Sequence, residues 1–437
     1  ALVCTSSLEL GIDVGSIELV IQFMSPRQVS RLIQRVGRSG HKLGRVAKGV
    51  IIPLDIDDLF ESVVIAKLAK EGFCEDIVAY EQSLDVLTHQ IVGIAMDKQR
   101  PSIKEVFELI KACYPFKNLS FTSYLEVLSL ANKLGYVWLN DYVKRSKQGL
   151  LYYFENISTI PDTKSYAIID SISRKPVAKL DESFVISYVE PGITFIVKGE
   201  PWRVVGLQDD KIFVEPSNQL DALIPGWEGE LIPVSRRVAE EVGKLRRNIK
   251  FQLKLGRSKE EIASLLAKLY PVNKEGALAM VSAIEKQEHV ASDEQIVVEG
   301  EHDVVVIHSC FGSKINETLA RLIASYLPEA NFSSDAYRVV ITSKFINPRK
   351  VVELLKSIDT KEVRSKLELA LTNSKLFLWK FFQVAKRFGI IKRDASLTRS
   401  EIQWLVNEFL GTPVFKEAMS EIFADKLDLQ GCVDVLN

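Results

Sequence analysis

The sequence predicts a multi-domain protein of mixed α/β and α+β class: a partial parallel α/β lobe, a winged helix, a small β-barrel and a mainly helical C-terminal module. Three patterns carry that prediction. Short strand and helix signals alternate over the first ~54 residues. Three helical runs followed by an extended pair fill about 76–155, and short apolar runs then recur about every 8 to 10 residues as far as 235. Length agrees, since 437 residues at ~150 per domain suggest about three domains.

The alternation begins at Leu2 to Cys4, apolar and without a Met before it. It reads as the middle of a buried strand, so the N-terminus is expected to have been cut back. Ile17 to Phe23 and Val50 to Leu54 are further strand runs, and a helix is expected between them from about Arg27 to Val36. Ser25-Pro26 suits its start: a hydroxyl to cap, then a proline at the first helical position, where a missing N–H costs nothing. Val29, Leu32, Ile33 and Val36 make a stripe that can pack on a sheet. The other face carries Arg27, Arg31, Gln34, Arg35 and Arg38, and from Arg27 to Lys48 there are seven Lys or Arg and no acid.

Helices are expected from Ser83 to Met96, from Ile103 to Cys113 behind a Ser102/Glu105 capping box, and from Ser123 to Leu134 with Gly135 closing it. Tyr136 to Leu139 and Leu150 to Phe154 read as extended, which completes a winged helix. The barrel runs are Tyr166–Ile169, Phe184–Tyr188, Thr194–Val197, Arg203–Leu207, Ile212–Glu215 and Glu230–Val234, separated by turn residues such as Pro191-Gly192. Residues 236–259 form a basic helical stretch with nine Lys or Arg against two Glu. Helices at Glu261–Leu269 and Lys314–Leu327 then mix with strand runs at Asp303–Ile307 and Arg338–Thr342, and the final ~90 residues are mostly helical.

About 47% apolar and 26% charged residues exclude disorder, collagen-like repeats and a disulfide scaffold. The net charge of -1 means that a polyanion partner must be held by local patches. Five scattered cysteines without a C-x-x-C pair argue against a structural zinc site and for a reducing, cytoplasmic home. No apolar run approaches the ~20 residues of a membrane span, and no basic-then-apolar leader opens the chain.

The strongest chemical signal is Thr5-Ser6-Ser7-Leu8-Glu9-Leu10-Gly11-Ile12-Asp13, followed about twenty residues on by Gln34-Arg35-Val36-Gly37-Arg38-Ser39-Gly40-His41. The first string is a strand end passing into a hydroxyl-rich turn, where hydroxyls and free N–H groups can hold phosphate oxygens. Gly11 permits close backbone approach to a nucleotide, and Asp13 offers a carboxylate to a ribose hydroxyl. The second string sets an arginine pair beside a glycine, as needed to meet charge developing on a transferred phosphoryl group.

These two strings resemble motifs V and VI of superfamily 2 helicases, and in their wording the large helicase-related (Lhr) proteins in particular. Ile224-Pro225-Gly226-Trp227 and His308-Ser309-Cys310-Phe311-Gly312 are similar to further stretches of that family. The resemblance implies that residues 1–75 belong to a second RecA-like motor lobe, 76–158 to the winged helix, 159–235 to the β-barrel and 236–437 to an α-rich α+β module. It implies an enzyme that uses ATP with Mg²⁺ to move 3′ to 5′ on single-stranded DNA and 3′-tailed duplexes, with DNA repair as the setting. By position, Thr5, Ser6 and Ser7 would hold strand phosphates, and Gly11 and Asp13 would sit at the nucleotide. Gln34 and Arg38 would face the γ-phosphate, Arg38 as the arginine finger and Arg35 in support. His41 stands where the broader superfamily has a second arginine; it fits the Lhr pattern and is counted with the nucleotide-binding group.

No G-x-x-x-x-G-K-[ST] string occurs, and neither Asp181-Glu182 nor Asp293-Glu294 follows the buried apolar strand of a Walker B acid. This chain is therefore expected not to hydrolyse ATP alone, in contrast to a parent that carries the other lobe. Two alternatives stay open: a non-enzymatic module that binds single-stranded nucleic acid, and a motor working on RNA or an RNA–DNA hybrid.

Trp227, held by Pro and Gly, could stack on a base or cap the barrel core, and Ile160 could wedge between bases or be buried. Trp202 reads as core. The basic residues Arg236, Arg237, Lys244, Arg246, Arg247, Lys250 and Lys254 could neutralise phosphates or be solvated. His302, His308 and Cys310 alternate on one strand face in too apolar a run for a metal site, and no metal is assigned.

Overall fold

The computed structural model describes residues 2–4, 9, 17–39, 46–98, 100–160, 164–197, 200–208, 210–218, 232–327 and 329–437. The chain folds as two compact units: residues 1–77, 231–367 and 426–437 form the first, and residues 78–230 and 368–425 the second.

In the first unit, β1 (Val20–Phe23) leads through α1 (Val29–Val36) to β2 (Gly49–Ile52), which lies parallel to β1 with Val20 opposite Gly49. The expected parallel α/β crossover is present. Helix α2 (Ile56–Lys70) follows, capped by Asp55, whose side chain accepts from the Asp58 N–H at 2.8 Å. Leu2 to Cys4 is not a strand, and Val3 is 97% exposed. Apolar residues alone do not make a strand; a neighbour must pair with it, and no described strand does.

The second unit opens with α3 (Leu84–Asp97), α4 (Ile103–Lys111) and α5 (Phe121–Lys133), and the Ser102/Glu105 capping box is formed. The wing is the antiparallel pair β3 (Val137–Leu139) and β4 (Val143–Arg145). The extended reading of Leu150 to Phe154 is corrected: these residues lie in α6 (Lys147–Glu155). Ser146 caps that helix by accepting from the Gly149 N–H at 2.8 Å, and Tyr152 stacks on Tyr136 with centroids 4.2 Å apart.

Five strands then form one sheet among the described residues: β5 (Ser165–Asp170), β6 (Pro176–Asp181), β7 (Thr194–Val197), β8 (Glu200–Gln208) and β9 (Lys211–Pro216), in the order β6-β5-β9-β8-β7. The five strands make a half-barrel, and the small closed or nearly closed barrel expected is not shown: among the described residues the outer strands β6 and β7 do not pair with each other. The run Phe184 to Tyr188, expected as a strand, is helix α7 (Glu182–Tyr188). Phe184 and Val185 pack into the sheet's core beside Phe195 and Trp202, so burial there overrides their β propensity. Trp202 is thus core, as expected. Ile232 to Val234 form no strand, and Glu230 lies outside the described residues.

Back in the first unit, α8 (Arg236–Lys254), α9 (Lys259–Leu269) and α10 (Lys274–Glu285) precede a four-stranded antiparallel sheet. Its strands β10 (Val297–Glu301), β11 (Val304–His308), β12 (Asn331–Ser334) and β13 (Arg338–Thr342) lie in the order β10-β11-β13-β12, with α11 (Ser313–Ser325) between β11 and β12 in sequence. Helices α12 (Pro348–Ser357) and α13 (Val363–Thr372) follow. The second unit is completed by α14 (Lys375–Arg387), α15 (Arg399–Glu408) and α16 (Pro413–Asp425), and α17 (Leu429–Leu436) returns to the first. The mainly helical end is borne out. No helix among the described residues is long and apolar enough to cross a membrane.

One core runs through the first unit, with Phe60, Val63 and Ile65 of α2 packed among Val238, Val242 and Ile249 of α8. Helix α1 contributes Val29 and Leu32 to it, which leaves its arginine-bearing face outward.

Candidate functional site

Helix α1 is seated by carboxylates from elsewhere in the chain. Its N-cap is Gln28, whose side chain makes no capping bond, so the expected Ser25-Pro26 start is displaced inward. The Glu75 carboxylate takes over: it accepts from the N–H groups of Val29 and Ser30 at 2.7 and 2.8 Å, placing negative charge at the positive end of the helix. Asp58 accepts from the Ser25 N–H at 2.5 Å and the Leu54 N–H at 2.7 Å, so one side chain ties the approach to α1 to the exit from β2. Arg27, at a positive φ of 67°, donates to the Ile232 carbonyl at 3.3 Å and lies 3.8 Å from Glu61. Burial outweighs the pull of Arg27 and pushes the Glu61 carboxyl up.

The far end of α1 is equally fixed. The Lys48 N–H donates to the Ser39 hydroxyl at 2.8 Å, and that hydroxyl reaches the Val36 carbonyl at 2.7 Å. Gly49 is required here, because a Cβ would meet Val36 Cγ2 at 2.4 Å. The polar face of the helix is therefore presented in one orientation.

On that face the arginines differ. Glu9, from the first string, reaches Arg31 at 3.2 Å with one carboxylate oxygen and Arg35 Nε at 2.6 Å with the other. Gln22 of β1 accepts a further bond from Arg35 at 2.8 Å. Arg35 is thus spent on joining the two strings. Arg38 bonds only to carbonyls, donating to Glu9 O at 3.2 Å and Gln34 O at 3.4 Å, and makes no ion pair among the described residues. Gln34, one turn before it, is exposed. Glu9 and Glu75 are the participants that sequence reasoning missed. Glu9 stands inside the first string, and as a carboxylate some twenty residues before the basic face of α1 it was the available signal.

Thr5, Ser6, Ser7, Gly11, Asp13, His41 and Trp227 lie outside the described residues. Ile160 is 76% exposed, and its backbone is pinned by Arg393, which donates to the Ile160 carbonyl at 2.9 Å. Of its two readings, the buried one is removed. His302, His308 and Cys310 do not converge: His302 sits exposed in the β10–β11 turn, His308 bonds Glu299 at 2.8 Å, and Cys310 is buried beside Arg246.

Comparison with known proteins bears on the whole chain. The family described as helicase conserved C-terminal domain matches residues 1–42, the large helicase-related protein winged helix domain matches 67–222, and the DEAD/H associated family matches 290–437. The chain is 30% identical over 465 residues to the ATP-dependent helicase Lhr-Core of Methanocaldococcus jannaschii, covering 99% of this chain and 53% of the relative. This chain belongs to the Lhr family. It spans about half the length of the curated Lhr-Core relatives it matches. The Lhr helicase/uracil glycosylase of Escherichia coli is 33% identical over 248 residues, covering 52% of this chain and 16% of that protein. The fold is that of a solved Lhr structure, the Mycobacterium smegmatis helicase Lhr bound to ssDNA and AMP-PNP, with a TM-score of 0.72 at 19% identity over 99% of this chain and 54% of that one.

Proposed function

We propose that this chain forms the nucleotide-facing helix and strand-holding domains of an ATP-dependent Lhr helicase that moves 3′ to 5′ on single-stranded DNA in DNA repair. The carrying observation is the division of labour on α1, where Glu9 engages Arg31 and Arg35 while Arg38 keeps only carbonyl contacts. A guanidinium without a carboxylate partner among the described residues, on a helix held at both ends, fits a polyphosphate: it can meet charge without first breaking an ion pair. ATP with Mg²⁺, when bound, supplies the anhydride whose cleavage drives movement. Arg38 and Gln34 would hold its phosphates, with Gly11, Asp13 and His41 completing the nucleotide side, and Arg35 bracing the helix.

Thr5, Ser6 and Ser7 are assigned to strand phosphates, and Ile160 and Trp227 to bases. The exposure of Ile160 on a pinned backbone supports its part, and the solved relative with single-stranded DNA and a nucleotide analogue supports the pairing of these two ligands. Lacking a phosphate-binding loop, the chain is expected to need a second lobe for turnover.

The test is ATP turnover by the full-length protein with and without single-stranded DNA. Turnover should be DNA-stimulated and fall about 10³- to 10⁵-fold in Arg38→Ala, with strand binding retained. Unchanged turnover in that variant sinks the motor assignment and leaves a strand-binding module. Unwinding of matched duplexes with DNA or RNA loading strands decides between DNA and hybrid substrates, because phosphate contacts serve both.

A further inference from the structure

The basic helix α8 has two halves with different fates. In the first, cations are neutralised within the fold. Arg236 pairs with Glu240 at 2.7 Å, Lys244 with Glu241 at 2.8 Å, and Arg246, sandwiched between the Phe60 and Tyr337 rings, with Asp57 at 2.8 Å. These residues hold the fold together and are not available to phosphates.

The last two turns differ. Arg247, Lys250, Phe251 and Lys254 stand at i, i+3, i+4 and i+7, so they share one face. They line a cleft of about 440 Å³ whose other wall includes Glu288, His289 and Ser292. Phe251 is 56% exposed, with a lysine on either side of it along the helix. Arg247 is held by Asp293 and Glu294 at 2.7 and 3.0 Å. Among the described residues Lys250 bonds only the Gln287 carbonyl, which leaves its charge without a carboxylate there, and Lys254 has no partner. With Glu294 taken by Arg247 and Glu288 lying 3.8 Å from His289, no carboxylate of the cleft pairs with either lysine among the described residues.

We propose that this cleft is an additional binding site for single-stranded nucleic acid, in which a base stacks on Phe251 and the adjoining phosphates meet Lys250 and Lys254. An acidic peptide would use the lysines and leave the ring idle; a flexible strand uses both, since each nucleotide brings a π-face and a phosphate together. The site shares no residue with the Arg38 helix or the strand contacts assigned above, so it stands or falls independently of the motor reading.

The experiment is a fluorescence-anisotropy titration of the full chain with fluorescein-labelled oligothymidylate at several salt concentrations. Phe251→Ala should weaken binding about 5- to 150-fold, equivalent to the ~1–3 kcal/mol of one base stack. Lys250→Ala with Lys254→Ala should reduce the slope of log affinity against log salt by about 1.4, two phosphates at ~0.7 each. Phe251→Trp should add an emission that oligothymidylate quenches. If the double variant folds poorly by circular dichroism, Lys254→Glu alone serves, since that side chain is exposed. Unaltered affinity and slope across these variants overturns the proposal. So does displacement of the oligonucleotide by polyglutamate together with an inert Phe251→Ala, which would mark a site for acidic peptides. Arg38→Ala should leave every one of these readings unchanged.

Discussion

Among the residues of α1, chemistry follows from partners more than from type. Arg35 and Arg38 are both arginines on one helix face, yet Glu9 holds Arg35 and leaves Arg38 to carbonyls. Glu9→Gln should therefore act on stability, loosening Arg31 and Arg35 by about 1.5–3 kcal/mol in urea unfolding, whereas Arg38→Ala should act on turnover alone. The arginines were legible because helical spacing puts them on one face. Their partner was not, since Glu9 lies 26 positions from Arg35 and no local period links them. The second unit holds a comparable case. Burial first, then the nearby Asp85 charge, pushes the Glu417 carboxyl up from 4.5 to about 7. Its protonated form is the one favoured by folding, so the folded state binds the extra proton and stability falls as pH rises from about 4.5 to about 7. Glu417→Gln keeps an acceptor for the Leu84 N–H but cannot titrate, so its unfolding midpoint should vary less over that window than that of the natural chain.

At the level of elements, local propensity prevailed where capping side chains lay in the sequence and failed where burial decided. The Ser102/Glu105 box opens α4 as expected, and Gly135, at φ 76°, ends α5. Leu150 to Phe154 and Phe184 to Tyr188 are rich in strand formers yet helical, one started by Ser146 and the other seated against the half-barrel. The start of α7 is also tied by charge: Glu182, fully buried, meets Lys386 of α14 at 3.3 Å. Removing one member leaves the other buried and unpaired, so Lys386→Met should cost about 3–5 kcal/mol in urea unfolding. Replacing both, with Glu182→Leu added, should recover most of that loss. A double variant as weak as the single one would show that the pair's charge is not what holds α7.

Within the second unit, residues separated by more than two hundred positions fold together. The Tyr136 hydroxyl donates to the Phe388 carbonyl at 2.8 Å, the Leu84 N–H donates to Glu417 at 2.7 Å, and Arg387 pairs with Asp85. Gly389, at φ 71°, lies under Tyr136 and Tyr152, where a Cβ would come within 2.5 Å of the Tyr136 hydroxyl oxygen. Gly389→Ala combines that collision with an unfavourable backbone angle and should destabilise by about 2–4 kcal/mol. A chain ended at residue 367 would bare the α3 face that α16 covers and leave Asp85 without Arg387. Size-exclusion chromatography should find it aggregated while the full chain elutes as a discrete species. That α14 to α16 belong with the winged helix was not legible, because the apolar stripes of these helices state only that each packs on something.

What the sequence by itself determined is what short-range chemistry carries: the parallel start, most helices, the capping box, and two phosphate-directed strings whose order and spacing point to one family. Tertiary structure alone decided which arginines of α1 pair with Glu9, which carboxylate caps α1, that the described strands form a half-barrel, and which late helices join which unit. The physical reason is range. Capping and periodicity act within a turn or two of the chain, whereas ion pairing and burial are settled by neighbours that only folding brings close.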